Sequence, residues 1–359
     1  MHKIANFEIY FYQLLNEYGA LLPVHPNSDN QLPACAKNYQ ELIKIYTCMK
    51  KTRLFDAKAI NLQKTGKLGT YPSCLWHEAI GVAIGSSMKS QDIFCPYYRD
   101  LGTMLWRGVL MEEILAYWGG DIDGSNFKHA VHDFPICVPI ASQTLHAAGA
   151  AFAVKYQQLD SVVVTTIGDG GTSRGDFYEA LNLAKIWNLP VVFVIINNQF
   201  AISTSRNMQT KAETLAQKAI AAGVYSEQVD GNDILALRSR LDLAIQKARV
   251  NNEPSVIEAI TYRMNDHTTA DDASRYRTDQ EKGQYLITDP LARFKMFLEQ
   301  QYQFSKDDDL KIETQCKQDI EQAVNNYFAL KPNKKASQMF DYLYKQLPKS
   351  LKSQKDLLS

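Results

Sequence analysis

The sequence predicts an α/β fold in which a doubly wound, mostly parallel sheet is flanked by helices, with helical extensions at both termini. Two apolar, β-branched runs, SVVVTTIGD and VVFVIINN, are typical of strands that are buried on both faces. The stretch GTSRGDFYEALNLAKIWNLP between them has a turn, a helical pattern and a proline stop, so strand, helix and strand alternate. This alternation predicts parallel strands with a ligand site at their carboxyl ends.

Helices dominate the pattern before these strands. A long amphipathic helix is expected over 39–64, where apolar residues recur with helical spacing until GKLG ends it. Two shorter helices are expected at 78–88, which is rich in small residues, and at 111–118. DIFCPYYRD, between them, is typical of a short strand and a polar turn, and TLHAAGAAFAVKYQ predicts the helix that leads into the first buried strand.

The chain after the second strand repeats the alternation and then becomes helical. Helices near 213–222 and 234–250 precede YSEQVDG and PSVIEAITYRM, and the tail from about 289 is charged and amphipathic. The stretch VHPNSDNQLPAC is typical of an extended arm or loop. We therefore expect an N-terminal arm at 1–37, an α/β domain at 38–290 and a C-terminal helical extension of the same domain at 291–359.

Composition argues against several classes of protein. Lys plus Arg and Asp plus Glu each number 39, so net charge gives no reason to expect nucleic acid or an anionic membrane as a partner. The six cysteines lie far apart without a CxxC pair, which favours a reduced, cytoplasmic protein over a zinc or dithiol site. No run reaches the roughly 20 apolar residues of a membrane span, and the start lacks the features of a secretory signal or transit peptide.

Polar residues follow both buried strands, in IGDGG and NNQFAIS. Asp169 and Asn198 are 29 residues apart, enough for one strand to end, a helix to cross over and the neighbouring strand to end beside it. One carboxylate and one amide oxygen there would form part of a Mg²⁺ shell, which usually also takes water and phosphate oxygens. Gly168, Gly170 and Gly171 would let the backbone approach an anion such as a diphosphate.

Simpler interpretations exist for each motif alone. GDGG is also a common turn between a strand and a helix, and NN a common turn, but the two at this spacing are much less common together. His129 and His132, in HAVH, have the spacing of a metal pair but lack a third ligand in a recognisable motif. A nicotinamide-dependent enzyme is disfavoured because the GxGxxG fingerprint and its later acidic residue do not occur together.

The two motifs resemble those of thiamine diphosphate enzymes, which carry GDG followed nearly thirty residues later by NN. GDGGTSRGDFYEALN and NNQFAIS look like the alpha subunits of 2-oxo acid dehydrogenase decarboxylases, and further signatures extend from about Tyr39 across nearly the whole chain. These signatures are TRLFDAKAINLQKTGKLGTYPS, PYYRDLGTMLWRG, PIASQTLHAAGAA, QVDGNDI, EAITYRMNDHTTADDASRYR and DYLYKQLP. The resemblance implies the thiamine diphosphate-binding form of the α/β fold.

Carried over by position, the resemblance implies that Asp169, Asn198 and the backbone carbonyl of Phe200 bind Mg²⁺. His267 is the residue expected to act in catalysis, because a loop histidine can protonate or orient substrate oxygens near neutral pH. The other implied contacts of the cofactor come from strand ends and loops. They are the diphosphate-binding Tyr98, Arg99, His267, Gly168, Gly170 and Gly171, the supporting Ile140, and Arg263 just before the active-site loop.

Three positions depart from the family pattern. Arg174 replaces an acidic residue, His77 stands where glutamine is usual, and Phe200 replaces a tyrosine or tryptophan. Metal binding through Phe200 needs only its backbone oxygen, so that departure should leave the ion site intact. Arg174 changes the charge near the expected diphosphate.

The resemblance also implies partners. In this family the carboxylate beside the pyrimidine ring of the cofactor belongs to a separate beta subunit, so an alpha-2 beta-2 heterotetramer is expected. The implied activity is oxidative decarboxylation of pyruvate, a small 2-oxo acid, with acetyl transfer to a lipoyl group on the acyltransferase component. Branched-chain 2-oxo acid dehydrogenase and acetoin dehydrogenase alpha subunits remain alternatives, as does a catalytically silent structural subunit.

Overall fold

One sheet of six parallel strands forms the centre of the computed structural model, which describes residues 2–23, 31–330 and 335–358. Its strands are β1 (Phe11–Tyr12), β2 (Ile93–Cys95), β3 (Val163–Gly168), β4 (Val191–Asn197), β7 (Tyr225–Asp230) and β8 (Ser255–Ile260), and a separate antiparallel hairpin consists of β5 (Phe200–Ala201) and β6 (Thr204–Ser205). The strand order is β1-β7-β8-β4-β3-β2. Every neighbouring pair in this order is parallel, which confirms the predicted fold class.

Helices cover both faces of the sheet. They are α1 (Tyr39–Lys64), α2 (Glu78–Ser87), α3 (Leu101–Trp106), α4 (Met111–Trp118), α5 (Ser142–Tyr156), α6 (Gly175–Ile186), α7 (Arg206–Gln209), α8 (Gln217–Ile220), α9 (Ile234–Asn251), α10 (Asp279–Tyr285), α11 (Pro290–Tyr302), α12 (Lys306–Ala329) and α13 (Lys349–Asp356). No helix in the described part of the chain is long and apolar enough to cross a membrane.

Alternate side chains of the central strand β4 enter different halves of the core. Val192 and Val194 pack in the cluster that α1, α2, α9 and α11 cover, whereas Phe193 and Ile195 pack with α5 and α6. Every residue of β4 is buried, because both faces of the strand are covered. The continuous apolar run in the sequence is therefore a doubly covered strand, as predicted.

The N-terminal extension differs from the helical expectation. Within residues 2–23 the secondary structure consists of strand β1 and turns, without a helix. Leu14 and Leu15 are fully buried, and their backbone N–H groups donate to Oδ2 of Asp233 at 2.7 and 2.6 Å. β1 covers an edge of the sheet by pairing with β7, where unpaired backbone groups would otherwise remain.

The helix expected near 213–222 is also shorter than predicted. Only α8 is helical there, and Thr214 and Gln217 exchange side-chain to backbone hydrogen bonds of 3.0 and 3.1 Å that fix its beginning. Gly223, with a φ of +70°, ends the segment. Gln209, before α8, and Lys218, within it, instead make hydrogen bonds to the turn that follows β3.

Candidate active site

A cavity of about 230 Å³ lies at the carboxyl ends of β3 and β4. This is where a parallel α/β sheet is expected to bind its ligand. Ten of the site residues named from the sequence line it: Tyr98, Arg99, Ile140, Gly168, Asp169, Gly170, Gly171, Asn198, Phe200 and His267. Residues from five separate stretches of sequence therefore meet at one place.

The floor of the cavity is the turn that connects β3 to α6, a 3₁₀ turn over Gly170–Ser173. A Cβ at Gly170 would lie 2.5 Å from the Cβ of Ala201, and one at Gly171 would lie 2.6 Å from Cγ1 of Ile167. Both contacts are closer than side chains tolerate. The turn therefore has room for glycine alone where β3 and hairpin β5–β6 approach each other.

Asp169 begins this turn with a buried carboxylate. The residue is 2% exposed, and its Oδ2 atom is buried without a hydrogen-bond partner among the described residues. Burial raises its pKa to about 6, although the N–H of Gly170 and the charge of Arg263 act in the opposite direction. A cation at Oδ2 would supply the missing partner and favour the ionised form. The surroundings of Asp169 therefore fit a metal ligand.

Asn198 and Phe200 line the same cavity as Asp169, because β3 and β4 are parallel neighbours. Gly168 pairs in register with Ile196, so both strands end at the same level. Asn198 is buried, and its Oδ1 accepts only a long, 3.4 Å hydrogen bond from the N–H of Phe200. No group of three or more His, Cys, Asp and Glu side chains in the described residues could hold a metal. The candidate set is therefore a carboxylate, an amide and a carbonyl oxygen, which suits Mg²⁺ completed by water and phosphate.

Arg99, with His267 beside it, forms the cationic wall of the cavity. Arg99 is 3% exposed, and its Nη2 donates to the carbonyl of His267 at 2.9 Å and lies 3.3 Å from Nδ1 of the same residue. Nη1 of Arg263 lies 3.5 Å from that Nδ1. Burial and these two guanidinium groups lower the pKa of His267 to about 4.

His267 is therefore neutral near pH 7 in this structure. Both guanidinium groups can only donate, so Nδ1 accepts and the proton resides on Nε2. The expectation that this histidine protonates or orients substrate oxygens near neutral pH stays a prediction for the cofactor-bound protein. The imidazole can orient an oxygen by donating a hydrogen bond from Nε2, and a bound polyanion would raise its pKa.

Arg263 lies behind the cavity and does not line it. Its Nη1 donates to the carbonyl of Phe200 at 3.2 Å, and its Nη2 donates to the carbonyl of Ile202 and the hydroxyl of Tyr276, both at 2.7 Å. The ring of Phe200 packs against that of Tyr276, with centroids 6.0 Å apart. Arg263 thus holds the loop that presents the Phe200 carbonyl.

The departures from the family pattern have different surroundings. His77 is 3% exposed, and both of its ring nitrogens are buried without a partner among the described residues. Burial and the charges of Arg99 and Arg263 hold its pKa well below the usual value. Arg174 does not line the cavity; it is exposed and pairs with Asp176 at 3.2 Å.

Several residues at the site were not identified from the sequence. Tyr97, Val138 and Gln143 line the cavity beside residues that the motifs had indicated, so adjacency within PYYRD and PIASQ was an available signal. Lys218 and Gln209 contact the turn from behind, and no pattern in the sequence pointed to them. His129 and His132, the pair in HAVH, are exposed and do not line the cavity.

Known proteins carry the same sequence features. A family model described as the dehydrogenase E1 component matches residues 46–335. The chain belongs to the dehydrogenase E1 component family. This family consists of thiamine diphosphate-dependent enzymes, so the resemblance seen in the motifs is confirmed.

Three relatives in the E1 family illustrate how far the similarity extends, and each is called pyruvate dehydrogenase E1 component subunit alpha. The protein from Acholeplasma laidlawii is 39% identical over 316 residues, which cover 88% of this chain and 92% of the relative. The protein from Staphylococcus aureus strain Mu50 is 37% identical over 89% of this chain and 86% of its own. The protein from Mycoplasma genitalium is 36% identical over 96% of this chain and 94% of its own.

Proposed function

We propose that this chain is the alpha subunit of a pyruvate dehydrogenase E1 component, which binds thiamine diphosphate and Mg²⁺ in the cavity at the ends of β3 and β4. The observation that supports this most directly is the buried Oδ2 atom of Asp169, which has no hydrogen-bond partner among the described residues and whose residue lines one cavity with Asn198 and Phe200. The Asp169 carboxylate, the Asn198 amide and the Phe200 carbonyl would make a partial shell for a hard cation that also needs phosphate oxygens. The cofactor, when bound, supplies the electron sink that decarboxylation requires.

The cationic wall would bind and orient the diphosphate. Arg99 has a planar fork of donors suited to phosphate oxygens, and its buried position leaves the charge weakly screened. His267, neutral and with Nε2–H as its donor, would orient a phosphate or substrate oxygen. Tyr98, whose ring lies 6.1 Å from that of His267, borders the same wall. Ile140, which also lines the cavity, would offer an apolar support for the bent cofactor.

The cavity also supports the need for a beta subunit. Asp169 is the only carboxylate among the described residues that line it, and the proposed metal site would use it. A second carboxylate, beside the pyrimidine ring, would have to come from another chain. Ile140 and Val138 at the rim are each 47% exposed, so the cavity has an open apolar side for that chain. We propose an alpha-2 beta-2 heterotetramer that passes the acetyl group to a lipoyl-bearing acyltransferase.

Pyruvate is the proposed substrate because the relatives named above are all called pyruvate dehydrogenase subunits. A branched-chain 2-oxo acid and acetoin would use the same cofactor machinery. Substrate-contacting residues that the beta subunit contributes would distinguish these cases.

The test measures CO₂ release from pyruvate and from 3-methyl-2-oxobutanoate by this chain co-purified with its beta subunit. Reactions run with and without thiamine diphosphate and Mg²⁺, beside Asp169→Ala and the control Asp176→Ala. Asp176 lies near the same turn but pairs with the exposed Arg174, so its removal should leave the ion site intact. We expect release from pyruvate that depends on both additions, is lost in Asp169→Ala and persists in Asp176→Ala.

Other outcomes would indicate a different substrate or a subunit without activity. Faster release from 3-methyl-2-oxobutanoate would indicate a branched-chain enzyme, and turnover of acetoin alone would indicate an acetoin dehydrogenase. A heterotetramer that binds the cofactor but releases CO₂ from neither substrate, and does not turn over acetoin, would indicate a silent subunit. Failure to bind thiamine diphosphate at all would overturn the proposal.

A further inference from the structure

The segment after hairpin β5–β6, residues 206–220, folds back over the turn Gly170–Ser173. Lys218, near the end of this segment, is 8% exposed. Its Nζ donates to the carbonyl and to the hydroxyl of Thr172, both at 2.9 Å. The Thr172 hydroxyl in turn donates to the carbonyl of Asp169 at 2.7 Å. A buried ammonium therefore holds the turn from the side opposite the cavity.

A second side chain of the segment reaches the same turn. Nε2 of Gln209 donates to the carbonyl of Asp169 and, at 3.0 Å, to the hydroxyl of Ser173. The segment itself is anchored where Arg206 donates its backbone N–H to the carbonyl of Gln199 at 2.9 Å. The loop after β4, which carries Asn198 and Phe200, is thereby connected through residues 206–220 to the loop after β3.

We propose that Lys218 is a positioning residue that aligns the Asp169 turn with the Asn198 loop and so sets the affinity for Mg²⁺ and thiamine diphosphate without touching either. This inference rests on the function proposed above. Its basis is geometric: the two groups that would bind the ion lie on different loops, and Lys218 and Gln209 connect those loops from behind. Residues behind a metal ligand commonly control its affinity by fixing its orientation.

The ammonium group of Lys218 supports a positioning role, rather than a role in packing alone. A buried ammonium is costly unless its surroundings need its charge and its donors. Here two acceptors of Thr172 lie within hydrogen-bond distance, and the ring of Tyr178 lies 5.8 Å from Nζ. Burial and the charge of Arg206 lower the pKa of Lys218, whereas the carboxylates of Glu258 and Asp169 favour its charged form. The positive charge thus lies behind the turn that would receive an anionic cofactor.

The test uses the alpha chain co-purified with its beta subunit and titrates thiamine diphosphate at fixed Mg²⁺ by calorimetry. Lys218→Met removes the ammonium while keeping much of the side-chain length, Lys218→Arg restores a donor and a positive charge, and Gln209→Met removes the second contact. Lys155→Met is the matched control, because Nζ of Lys155 likewise donates to two acceptors, the backbone carbonyls of Trp187 and Asn188, beyond the far end of α6. Thermal unfolding without cofactor shows whether each variant folds.

We expect Lys218→Met to raise the Kd for thiamine diphosphate roughly 10–100-fold, the range usual for residues that orient a metal ligand. Its kcat at saturating cofactor should stay within about threefold of wild type, Lys218→Arg should recover most of the affinity, and Lys155→Met should bind like wild type. If Lys218→Met does not fold, Gln209→Met becomes the test, because Gln209 is only half-buried. This variant must then show the loss of affinity for thiamine diphosphate.

Two results would overturn the inference in distinguishable ways. If folded Lys218→Met binds thiamine diphosphate with the wild-type Kd, the contacts of Lys218 and Gln209 with the turn serve folding alone. The same conclusion holds for a wild-type Kd in Gln209→Met, where that variant is the test. The proposed function would stand in both cases. No binding of thiamine diphosphate by the wild-type complex would remove the proposed function and the inference with it.

Discussion

Asp169 has a buried carboxylate that costs stability and that a bound cation would stabilise. Its pKa is raised from 3.8 to about 6 by burial, so between these values the folded chain holds a proton that the unfolded chain releases. The favourable contribution of the neutral carboxyl is present below pH 4 and is lost as pH rises through about 6. Above that pH the ionised group destabilises the fold by at most about 3 kcal/mol.

The first prediction follows from the raised pKa of Asp169, which makes its ionised carboxylate destabilising near neutral pH. Asp169→Asn should raise the melting temperature of the cofactor-free protein at pH 7.5 by a few degrees, because a neutral amide replaces a buried charge. Mg²⁺ with thiamine diphosphate should raise the melting temperature of the wild type and leave that of the variant unchanged. Differential scanning calorimetry measures both effects, with Asp176→Asn as control. A less stable cofactor-free variant would show that the carboxylate has a partner in the native protein.

The contribution of His77 to folding stability changes with pH in the opposite direction to that of Asp169. Burial and the charges of Arg99 and Arg263 hold its pKa well below 6.5, so on acidification the unfolded chain binds a proton before the folded chain does. Stability contributed by the neutral imidazole is present above pH 6.5 and is lost as pH falls below it. The slope is about 1.4 kcal/mol per pH unit for one such proton.

We therefore predict that His77→Gln loses less stability than wild type between pH 6.5 and 5. The glutamine amide supplies a donor and an acceptor in the same place without a titrating group. Urea denaturation across this pH range measures the difference, and at pH 7.5 the two proteins should be of similar stability. Parallel curves for the two proteins would contradict the prediction, since His77 would then be free to ionise in the folded state.

At the scale of elements, strands and site residues are predicted most accurately from the sequence where the local pattern and the tertiary context agree. The uninterrupted runs of β3 and β4 end at Gly168 and Asn197, so the convergence of Asp169 and Asn198 follows from topology alone. The neutrality of His267 could not be predicted, because Arg99 lies 168 residues away in sequence. Strand β1 was missed for a similar reason: its partner β7 and the anchoring Asp233 are more than 200 residues distant.

The close approach of the β3 turn and hairpin β5–β6 gives an element-scale prediction. Gly170→Ala places a Cβ 2.5 Å from that of Ala201 and must separate the two loops that carry the candidate metal ligands. We expect the affinity for thiamine diphosphate to fall at least 10-fold, since small displacements of ligands are costly. Calorimetric titration of the complex measures this loss.

Gly175→Ala is the matched control for that variant. Gly175 begins α6 a few residues later, and a Cβ there would meet no atom within 4 Å. Alanine is the better helix former, so this variant should bind like wild type and be equally or slightly more stable. Equal affinities for Gly170→Ala and Gly175→Ala would mean that the two loops can move apart without harm to the site.

At the scale of the whole molecule, buried charges tie the C-terminal helices to the α/β core. Arg53 on α1 donates from Nε to Oε1 of Glu78 on α2 at 2.8 Å and from Nη1 to Asp289, which caps α11, at 2.8 Å. Phe294 and Leu298 of α11 are fully buried in the core cluster that the sheet shares. We therefore propose that residues 291–359 unfold together with the α/β domain.

The corresponding prediction is that Arg53→Met lowers the free energy of unfolding by about 3–5 kcal/mol while unfolding stays a single transition. The loss is large because the fully buried Glu78 would lose the partner of its ion pair. Adding Glu78→Gln to Arg53→Met should recover part of the lost free energy of unfolding. Lys58→Met is the control, since Lys58 also joins α1 to a C-terminal helix but pairs with an exposed Glu321 at 2.6 Å, an interaction worth under about 1 kcal/mol. Calorimetry and tryptophan fluorescence should report coincident transitions, whereas an early, separate transition in Arg53→Met would show that the C-terminal helices form a unit of their own.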